Sequence, residues 1–377
     1  MAIEIKEIYP KKSELKEFIH FSIDLYKDNK YYVPPFILDE INTLTPKKNP
    51  AFEFCESKYF MAYIDGKPVG RIAGLINRQV NEKTGAKEVR FGFIDFIDDI
   101  EVSRALLNAV ETWGKEKGMT NIVGPLGFTD MDPEGMLIEG FDQAGTMATL
   151  YNYPYYPEHM EKLGFEKETD WCEFKIYIPE TIPEKHQRIS DIISRKYELS
   201  TPKYTSAKAL VKDYGQAIFK LINEAYDELY GYSPLTPRQI NHYIKMYIPI
   251  LRLENITLIV DKNKELVGVG IAIPSMTKAL QKSKGKLLPF GWWYLLKALK
   301  FKNDIVDLML VAIKPEYQSK GVNALLFSDL IPIFGRNGYR YAESNPELEE
   351  NQKVQSQWQY FDTEQHKRRR AFKKEIQ

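Results

Sequence analysis

The sequence has few cysteines, no excess charge of either sign and few histidines. Cys55 and Cys172 are its two cysteines in 377 residues, far too few for a disulfide framework, so we expect a reducing compartment. Fifty-two basic residues balance fifty-two acidic ones, which argues against a general nucleic-acid binder. The five histidines have no metal-ligand spacing with the cysteines, so we predict no metal site.

Long apolar runs are absent as well. The first residues are charged and contain no apolar core, so we expect no secretory signal. The longest apolar candidate, 287–299, contains Lys297 and is too short to span a bilayer. With 44% hydrophobic and 28% charged residues, the composition is typical of a globular protein. We therefore predict a soluble, cytoplasmic protein of two or three domains, at about 150 residues per domain.

One order of predicted elements occurs twice along the chain. Each copy begins with two apolar runs around a short polar turn, the signal of a β-hairpin: residues 59–64 and 69–75, then residues 256–260 and 266–273. Each hairpin is followed by a strand, a helix and another strand. The strands and helices that follow the hairpins are 89–97 with 102–117 in the first copy, and 305–313 with 322–334 in the second.

This order predicts an α/β (α+β) fold of two units, each a mixed, mostly antiparallel sheet flanked by helices. Prolines and a charged helix between Pro179 and Pro202 are typical of a connection between domains. We place the domains at residues 1–185 and 186–377.

The stretch from Leu308 to Ala324 is the most informative part of the second copy. An apolar strand leads into a turn, and the turn opens a helix at Gly321. Such an arrangement directs unpaired backbone N–H groups and the positive end of the helix dipole at one point, which suits a polyphosphate. Lys320 could add positive charge, and Gly321 lets the backbone approach an anion closely.

This stretch resembles the acyl-CoA-binding motif of the GNAT acyltransferases: a strand, a proline-containing turn, Gln or Arg, two residues, Gly, one residue, and Gly or Ala. Gln318 and Gly321 match, whereas Asn323 stands where the second Gly or Ala is usual. An ordinary strand–loop–helix crossover is the alternative. The resemblance assigns the following residues to acyl-CoA binding: Leu310, Val311, Ala312, Ile313, Gln318, Ser319, Lys320, Gly321, Val322, Asn323 and Ala324.

The resemblance implies two GNAT-like units and an acyltransferase, expected to be an N-acetyltransferase. It would move an acyl group from acetyl-CoA or a longer acyl-CoA to a small-molecule or peptide amine, by direct attack of the amine on the thioester. The rival interpretation is a non-catalytic acyl-CoA-binding or sensing protein, which Asn323 and Trp358 favour. The sequence leaves the acceptor, the acyl length and the oligomeric state open.

The equivalent turn of the first copy has no glycine. It runs from Asp95 through Asp98 and Asp99 to Glu101, and its carboxylates stand where phosphates would lie. Like charges repel, and Arg104 is the one counter-ion that the local sequence supplies. We therefore expect the first unit to keep the fold without binding CoA at this turn.

The resemblance also implies which residues are candidates for proton transfer. A tyrosine on the last helix of the family often protonates the thiolate, but Trp358 stands at that position, and indole cannot act as a general acid. Tyr360 is the substitute candidate, with core packing as the alternative. Glu343 and Asn345, at the end of a strand, are candidates to orient the acceptor or a water, with surface solvation as the alternative.

Two segments of the first copy are candidates for binding the acceptor. In residues 124–135, Asp130, Asp132, Glu134 and Gly135 fall at positions one, three, five and six of a calcium loop. The twelfth position of that loop is Phe141 instead of a glutamate, so we predict no calcium. Residues 151–156 contain four tyrosines. We assign substrate binding to Asp130, Asp132, Tyr153 and Tyr156, as a wall facing the CoA site, with an ordered loop of packed tyrosines as the alternative.

A basic segment with two tryptophans, residues 282–301, is inserted between two strands of the second copy. We favour a packed helix that covers the domain interface over a cap on a hydrophobic ligand or a helix at a membrane surface. A peripheral membrane acyltransferase would rest on this segment alone. The run His366–Arg370 is predicted to be the closing strand, with Arg368 and Arg370 on one face.

Overall fold

The computed structural model describes residues 2–301 and 303–376. Strands and helices are each numbered in chain order. The strands are β1 Ile3–Ile8, β2 Cys55–Ile64, β3 Lys67–Asn77, β4 Glu88–Phe96, β5 Asn121–Gly124, β6 Met136–Glu139, β7 Glu166–Tyr177, β8 Ile256–Val260, β9 Leu266–Pro274, β10 Ile305–Ile313, β11 Tyr341–Glu343, β12 Glu347–Leu348 and β13 Thr363–Glu375. The helices are α1 Lys12–Leu25, α2 Ile37–Thr43, α3 Arg78–Thr84, α4 Ile100–Glu116, α5 Tyr155–Lys162, α6 Glu184–Lys196, α7 Ala207–Tyr226, α8 Pro237–Tyr247, α9 Thr277–Ser283, α10 Gly291–Lys300, α11 Asn323–Asn337 and α12 Gln352–Gln355.

Packing divides the chain into two compact units, and neither is continuous in sequence. The first consists of Met1–Cys172, Thr277–Tyr294 and His366–Gln377, and the second of Glu173–Met276 and Leu295–Gln365. The last strand and part of the inserted segment thus pack with the first unit. The predicted boundary between domains at residues 185 and 186 stays a prediction.

In the first unit, antiparallel strands β1 to β4 are followed by β5, which pairs with β4 in parallel. Asp99 caps the N-terminus of helix α4, because its carboxylate accepts the N–H of Glu101. Its buried residues Val102, Leu106 and Val110 recur at four-residue spacing and turn one apolar face toward the sheet. The helix lies close to β3, because a Cβ atom built on Gly74 would stand 2.9 Å from the Trp113 ring.

The last strand completes the sheet of the first unit. Phe372–Glu375 of β13 pair antiparallel with β5, and Arg368–Arg370 pair with β6. Arg368 and Arg370 both donate to the buried carboxylate of Asp170, at 3.3 Å and 2.8 Å, so the two side chains share one face as predicted. The prediction of a closing strand over His366–Arg370 is therefore confirmed.

In the second unit, the strand order is β7, β11, β10, β9, β8, and the pairing of β10 with β11 is the parallel one. Helix α11 packs on this sheet through Leu330 and Phe334, which contact Val306 and Ala342. Gly338 closes the helix in the left-handed conformation, with a φ of 74°. The predicted fold class, mixed β-sheet flanked by helices, is confirmed, with the strands of the two predicted copies in one 13-stranded sheet.

No helix in the described part of the chain is both long enough and apolar enough to cross a membrane.

Candidate functional site

Strands β10 and β11 part soon after they begin to pair. Ile305, Val306 and Asp307 of β10 lie opposite Tyr341, Ala342 and Glu343 of β11. Beyond Asp307, only β9 pairs with β10 among the described strands, and the register with β9 shifts between Leu308 and Leu310. The bulge at Met309 bends β10 just where β11 ends. The outer half of β10 therefore has one main-chain edge open on the β11 side.

Side chains from three elements hold the carbonyl groups along this open edge. Asn345 Nδ2 donates to the Met309 carbonyl at 2.8 Å, Tyr226 Oη to the Val311 carbonyl at 2.9 Å, and Gln318 Nε2 to the Ile313 carbonyl at 3.1 Å. Because the N–H and C=O of a strand residue point to the same side, the N–H groups of these three residues also face the gap. Leu310 and Ala312 alternate with them and face β9.

The chain leaves β10 through a turn that ends at the first residue of α11. Ser319 and Gly321 both have positive φ, 59° and 78°, so the backbone folds back tightly before the helix. The first hydrogen bonds of the helix run from Ala324 N–H to the Gly321 carbonyl and from Leu325 N–H to the Val322 carbonyl. The N–H groups that precede Ala324 therefore lie outside the helical ladder, at the positive end of the helix.

Gly321 also packs closely against α6. A Cβ atom built on it would stand 3.1 Å from Ile189 Cγ2, and the backbone conformation already disfavours any other residue. The ammonium group of Lys320 lies 5.8 Å from the centres of both the Tyr197 and Tyr317 rings, which places one positive charge beside the turn. The turn after β10, the N-terminal end of α11 and the side chain of Lys320 together form a surface suited to an anionic group.

Acidic side chains lie where the two strands part. Asp307 and Glu343 are register partners on adjacent strands, and both are buried. Burial and these two carboxylates raise the pKa of Tyr341 to about 12. The structure thus brings the predicted residues Glu343 and Asn345 to the open end of the gap, next to a buried carboxylate that the sequence interpretation did not include.

Glu347 follows two residues after Asn345 and is a further carboxylate with a perturbed pKa. Burial raises the pKa of this carboxyl to about 8, although the hydrogen bond from Trp358 lowers it. Trp358 Nε1 lies 3.0 Å and 3.1 Å from the two carboxylate oxygens, and its ring packs against Phe327 of α11. A carboxyl with a pKa near 8 can exchange protons with an amine at neutral pH.

Tyr360 lies apart from this arrangement, at the surface. Its side chain is 42% exposed, its hydroxyl accepts a hydrogen bond from Lys185 Nζ at 2.9 Å, and its ring contacts His186. The core packing considered for Tyr360 is thus wrong, since Trp358 takes the buried position. The role of Tyr360 as a proton donor stays a prediction.

No family model matches the sequence. The bacterial ceramide synthase of Caulobacter vibrioides is 28% identical over 315 residues, which cover 81% of this chain and 79% of that protein. Protein YghO of Escherichia coli is 27% identical over 374 residues, which cover 97% of this chain and 94% of YghO.

Among solved structures, a tandem GNAT protein from the clavulanic acid biosynthesis pathway matches with a TM-score of 0.58 and 13% identity. The match covers 100% of this chain and 99% of that one. This chain has the tandem GNAT fold. The prediction that both halves of the chain have the GNAT fold is thereby confirmed.

In the first GNAT unit, the predicted acceptor residues fall into two groups. Asp130 and Asp132 lie in the loop after β5, where Asp132 Oδ2 accepts the Thr129 N–H at 3.0 Å. Burial raises the pKa of Asp132 to about 6, and raises the pKa of Asp130 against the lowering effect of Arg90. A neighbouring carboxyl, Glu134, has its pKa raised by burial and by Asp130. This loop therefore carries three half-buried acidic groups with raised pKa values.

Tyr153 and Tyr156 belong to the second group, an aromatic cluster. Tyr156 is fully buried and its hydroxyl lies 2.7 Å from that of Tyr26, whose ring is 5.0 Å from the ring of Tyr153. The Tyr26 hydroxyl donates to Asp95 at 2.9 Å. The tyrosines therefore pack on one another around a buried carboxylate, which matches the ordered loop considered as the alternative. A role in binding the acceptor stays a prediction.

Asp95 has a counter-ion that the local sequence does not supply. Arg71 of β3 donates to Asp95 at 2.8 Å and to Glu40 at 3.0 Å, and all three side chains are buried. Arg71 is 24 residues away from Asp95 in the chain, so the local sequence, which offers Arg104 alone, does not reveal this partner. Asp98 lies 3.1 Å from His159, and Asp99 caps α4, so these carboxylates also have structural partners.

Tyrosine side chains bond the main chain at the end of β4 in the first GNAT unit. Tyr156 accepts the Phe96 N–H at 3.0 Å, and Tyr155 donates to the Phe96 carbonyl at 2.6 Å. Phe96 thus has both main-chain groups bonded to tyrosine side chains at the end of β4. On the equivalent strand of the second unit, β10, side chains bond the carbonyls of Met309, Val311 and Ile313.

Sequence reasoning missed Glu347, Tyr226 and Arg71. For Glu347 a signal existed, because it follows two residues after Asn345 and four after Glu343 in the chain. Tyr226 and Arg71 act on residues far away in sequence, and nothing near them in the chain marks their partners. In residues 2–301 and 303–376, no group of three or more His, Cys, Asp or Glu is arranged to hold a metal ion.

Proposed function

We propose that this protein is an acyl-CoA-dependent N-acyltransferase whose second GNAT unit holds the acyl-CoA. The observation that carries the proposal is the open edge of β10, with the N–H groups of Met309, Val311 and Ile313 facing the gap and a helix N-terminus at its end. An extended amide chain can pair with such an edge as an added strand would. The side chain of Val311 is 40% exposed, so the edge is accessible.

The diphosphate of CoA would bind at the turn from Gln318 to Ala324. Backbone N–H groups before Ala324 and the helix dipole attract an anion, and Lys320 supplies a full positive charge. Gln318 is engaged with the Ile313 carbonyl, so its amide would fix the shape of the turn rather than contact a phosphate. Among the predicted cofactor residues, we therefore expect Gln318 to act by positioning.

The chemical step would be direct attack of the amine nitrogen on the thioester carbonyl. The C–S bond breaks, the amide C–N bond forms, and the CoA thiolate leaves and takes up a proton. Main-chain N–H groups on the edge of β10 would polarise the carbonyl oxygen. The proton lost by the amine would pass to a carboxylate, either directly or through water.

Glu347, two residues after Asn345 in the chain, is our preferred proton acceptor. Its pKa, raised to about 8, lies close to that required for accepting a proton from an amine near neutral pH. Glu343 and Asn345 would orient the acceptor or a water, since they lie at the end of β11 where the strands part.

For the substrate class, we propose a lipid amine and a long-chain acyl-CoA. The relative from Caulobacter vibrioides is called a ceramide synthase, and a ceramide is the amide of a fatty acid with a long-chain amino alcohol. The first GNAT unit would contribute no second CoA site, since tyrosine side chains already bond the edge of β4.

The test is a turnover assay with the purified full chain. Acetyl-CoA and palmitoyl-CoA are each offered with a long-chain amino alcohol and with a panel of small amines, and released thiol and amide product are measured. We expect palmitoyl-CoA with the amino alcohol to give the fastest thiol release and an amide detectable by mass spectrometry. Calorimetry with the same acyl-CoAs measures binding separately.

The two measurements separate the alternatives. Binding of an acyl-CoA without any amide product would support a non-catalytic acyl-CoA-binding or sensing protein. Preference for acetyl-CoA and a small amine would refute the lipid assignment but retain the acyltransferase. Failure of every acyl-CoA to bind would refute the site at β10.

A further inference from the structure

Large apolar side chains project into solvent from the inserted segment between β9 and β10. Within the first unit, Leu288 is 74% exposed, Phe290 68%, Trp292 48%, Trp293 45% and Leu287 41%. The favoured expectation of a packed helix is therefore wrong for these side chains. We call residues Leu287 to Trp293 the projecting segment.

The backbone around the projecting segment is firmly held within the first unit. The Ile37 N–H donates to the Gly285 carbonyl at 3.1 Å, and Gln281 Nε2 donates to the Lys30 and Tyr32 carbonyls at 2.9 Å and 3.1 Å. A Cβ atom built on Gly285 would stand 2.1 Å from the Pro35 carbonyl oxygen, so only glycine fits there without a shift of the backbone. These contacts hold the backbone next to the projecting segment in place, while the apolar side chains of the segment stay exposed to solvent.

The segment itself is folded. The Trp292 N–H donates to the Leu287 carbonyl at 2.8 Å, and the Trp292 indole donates to the Pro289 carbonyl at 3.1 Å. The two tryptophan rings meet edge to face, with their centres 5.9 Å apart. These contacts within the segment hold its exposed apolar side chains close to one another.

The charge around the projecting segment has one sign. Residues 277–303 contain seven lysines and no aspartate or glutamate, in a chain with a net charge of zero. Lys282, Lys284 and Lys286 are exposed, and within the described residues none of them forms an ion pair. The local positive charge is therefore not neutralised by the protein itself.

Lysines beside exposed tryptophan and leucine favour one kind of partner. Tryptophan rings settle at the interface between headgroups and acyl chains, and lysines attract anionic headgroups. In a second copy of this chain, by contrast, the same patch would bring like charges together. We propose that the projecting segment docks the protein on the surface of an anionic lipid bilayer, with Trp292 and Trp293 in the interface and Lys282, Lys284 and Lys286 against the headgroups.

The test is sedimentation of the purified full chain with vesicles. Vesicles of phosphatidylcholine alone are compared with vesicles of equal parts phosphatidylcholine and phosphatidylglycerol, at low and at physiological salt. We expect binding to the anionic vesicles, at least tenfold weaker at physiological salt because ions screen the lysines. We also expect a blue shift of tryptophan fluorescence, which is lost in the variant Trp292→Ala/Trp293→Ala.

A charge-matched pair of variants isolates the segment. Lys282→Glu/Lys284→Glu/Lys286→Glu should weaken binding to anionic vesicles at least tenfold. Lys208→Glu/Lys212→Glu/Lys220→Glu, on the exposed side of α7, changes the net charge by the same amount and should have little effect. Equal losses in the two triple variants would refute docking by the projecting segment, as would failure of the unmodified protein to bind anionic vesicles at low salt.

Self-association is measured on the same samples by analytical ultracentrifugation. A dimer that Leu288→Ser/Phe290→Ser converts to monomer would show that a second copy covers the segment, and would overturn the proposal. Circular dichroism of each variant checks that it is folded. The proposal does not depend on the assignment of acyl-CoA to β10, because vesicle binding is measured without any acyl-CoA.

Discussion

The indole N–H of Trp358 donates to the carboxylate of Glu347, with Nε1 at 3.0 Å from one oxygen and 3.1 Å from the other. Burial favours the protonated form of this carboxyl, while the hydrogen bond favours the charged form. By the GNAT resemblance, the position of Trp358 is expected to hold a tyrosine that acts as a general acid. Trp358 instead lowers the pKa of the Glu347 carboxyl through its hydrogen bond.

If Glu347 accepts the proton of the amine, turnover should rise with pH around a midpoint near 8, because only the deprotonated carboxylate can accept it. Replacing Glu347 with Gln should lower kcat by about 10² or more and remove this rise. In Trp358→Phe the hydrogen bond that lowers the pKa is lost, so the midpoint should move to higher pH. Steady-state rates measured from pH 6 to pH 10 check both variants. A midpoint for Trp358→Phe that stays in place or moves to lower pH would contradict this role.

Acyl-CoA binding should depend on the absence of a side chain at residue 321. The variant Gly321→Glu places a carboxylate at the anion-binding turn and a Cβ atom 3.1 Å from Ile189 Cγ2, so the Kd for acyl-CoA should rise at least tenfold. Gly66→Glu is the matched control, because Gly66 has a similar φ of 74° and open space around it. Calorimetry compares the two variants. Equal weakening by both would mean that backbone strain, and not the location of residue 321, causes the effect.

The amide of Asn345 should matter more for turnover than for stability. It donates to the Met309 carbonyl at the bulge of β10, a contact worth about 1 kcal/mol of stability. We expect Asn345→Ala to lower kcat/KM at least tenfold with only a small loss in the free energy of unfolding, since the edge would lose its fixed geometry. Asn303→Ala is the control, because Asn303 similarly holds the Ser275 carbonyl before the start of β10. If both variants keep full activity, the open edge has no part in the reaction.

The buried arginine of the first unit should be essential for stability. Removing Arg71 leaves Asp95 and Glu40 buried without their cation, so Arg71→Met should cost about 3–5 kcal/mol in the free energy of unfolding. Arg78→Met is the control: its ion pair with Glu56 is exposed at the surface and should contribute about 1 kcal/mol or less. Urea denaturation of both variants gives the comparison.

The loss in Arg71→Met should also depend on pH. Burial raises the pKa values of Asp95 and Glu40, and Arg71 lowers them. Without Arg71 these pKa values rise further, so folding favours the protonated carboxyls even more strongly. Stability that is present in acid is then lost as the pH rises toward the folded-state pKa values. The deficit should therefore be larger at pH 8 than at pH 5, and a deficit that shrinks with rising pH would be inconsistent with this charge network.

The sequence was sufficient to predict the strands and helices of both copies, because the signals for them are local. Apolar runs around Asp65-Gly66 predict the first hairpin, and β2 and β3 form it. The turn after β10 was also recognisable, since Gln318 and Gly321 are close in the chain and precede an apolar helix. In both places, neighbouring residues determine the conformation.

What the sequence did not predict depends on contacts between distant residues. The partner of Asp95 is Arg71 on another strand, and the donor to the Val311 carbonyl is Tyr226 on α7. The projecting segment was expected to be packed, because an apolar composition does not show which side chains remain in water. These outcomes follow from the tertiary arrangement, which periodicity and local motifs do not encode.

The two tyrosines that bond both main-chain groups of Phe96 have a consequence for stoichiometry. If these tyrosines prevent the first unit from binding a thioester at the edge of β4, a chain with two GNAT-like units binds one molecule of acyl-CoA instead of two. The first unit would then have a structural role, and its loops could vary in sequence without any loss of acyl-CoA binding.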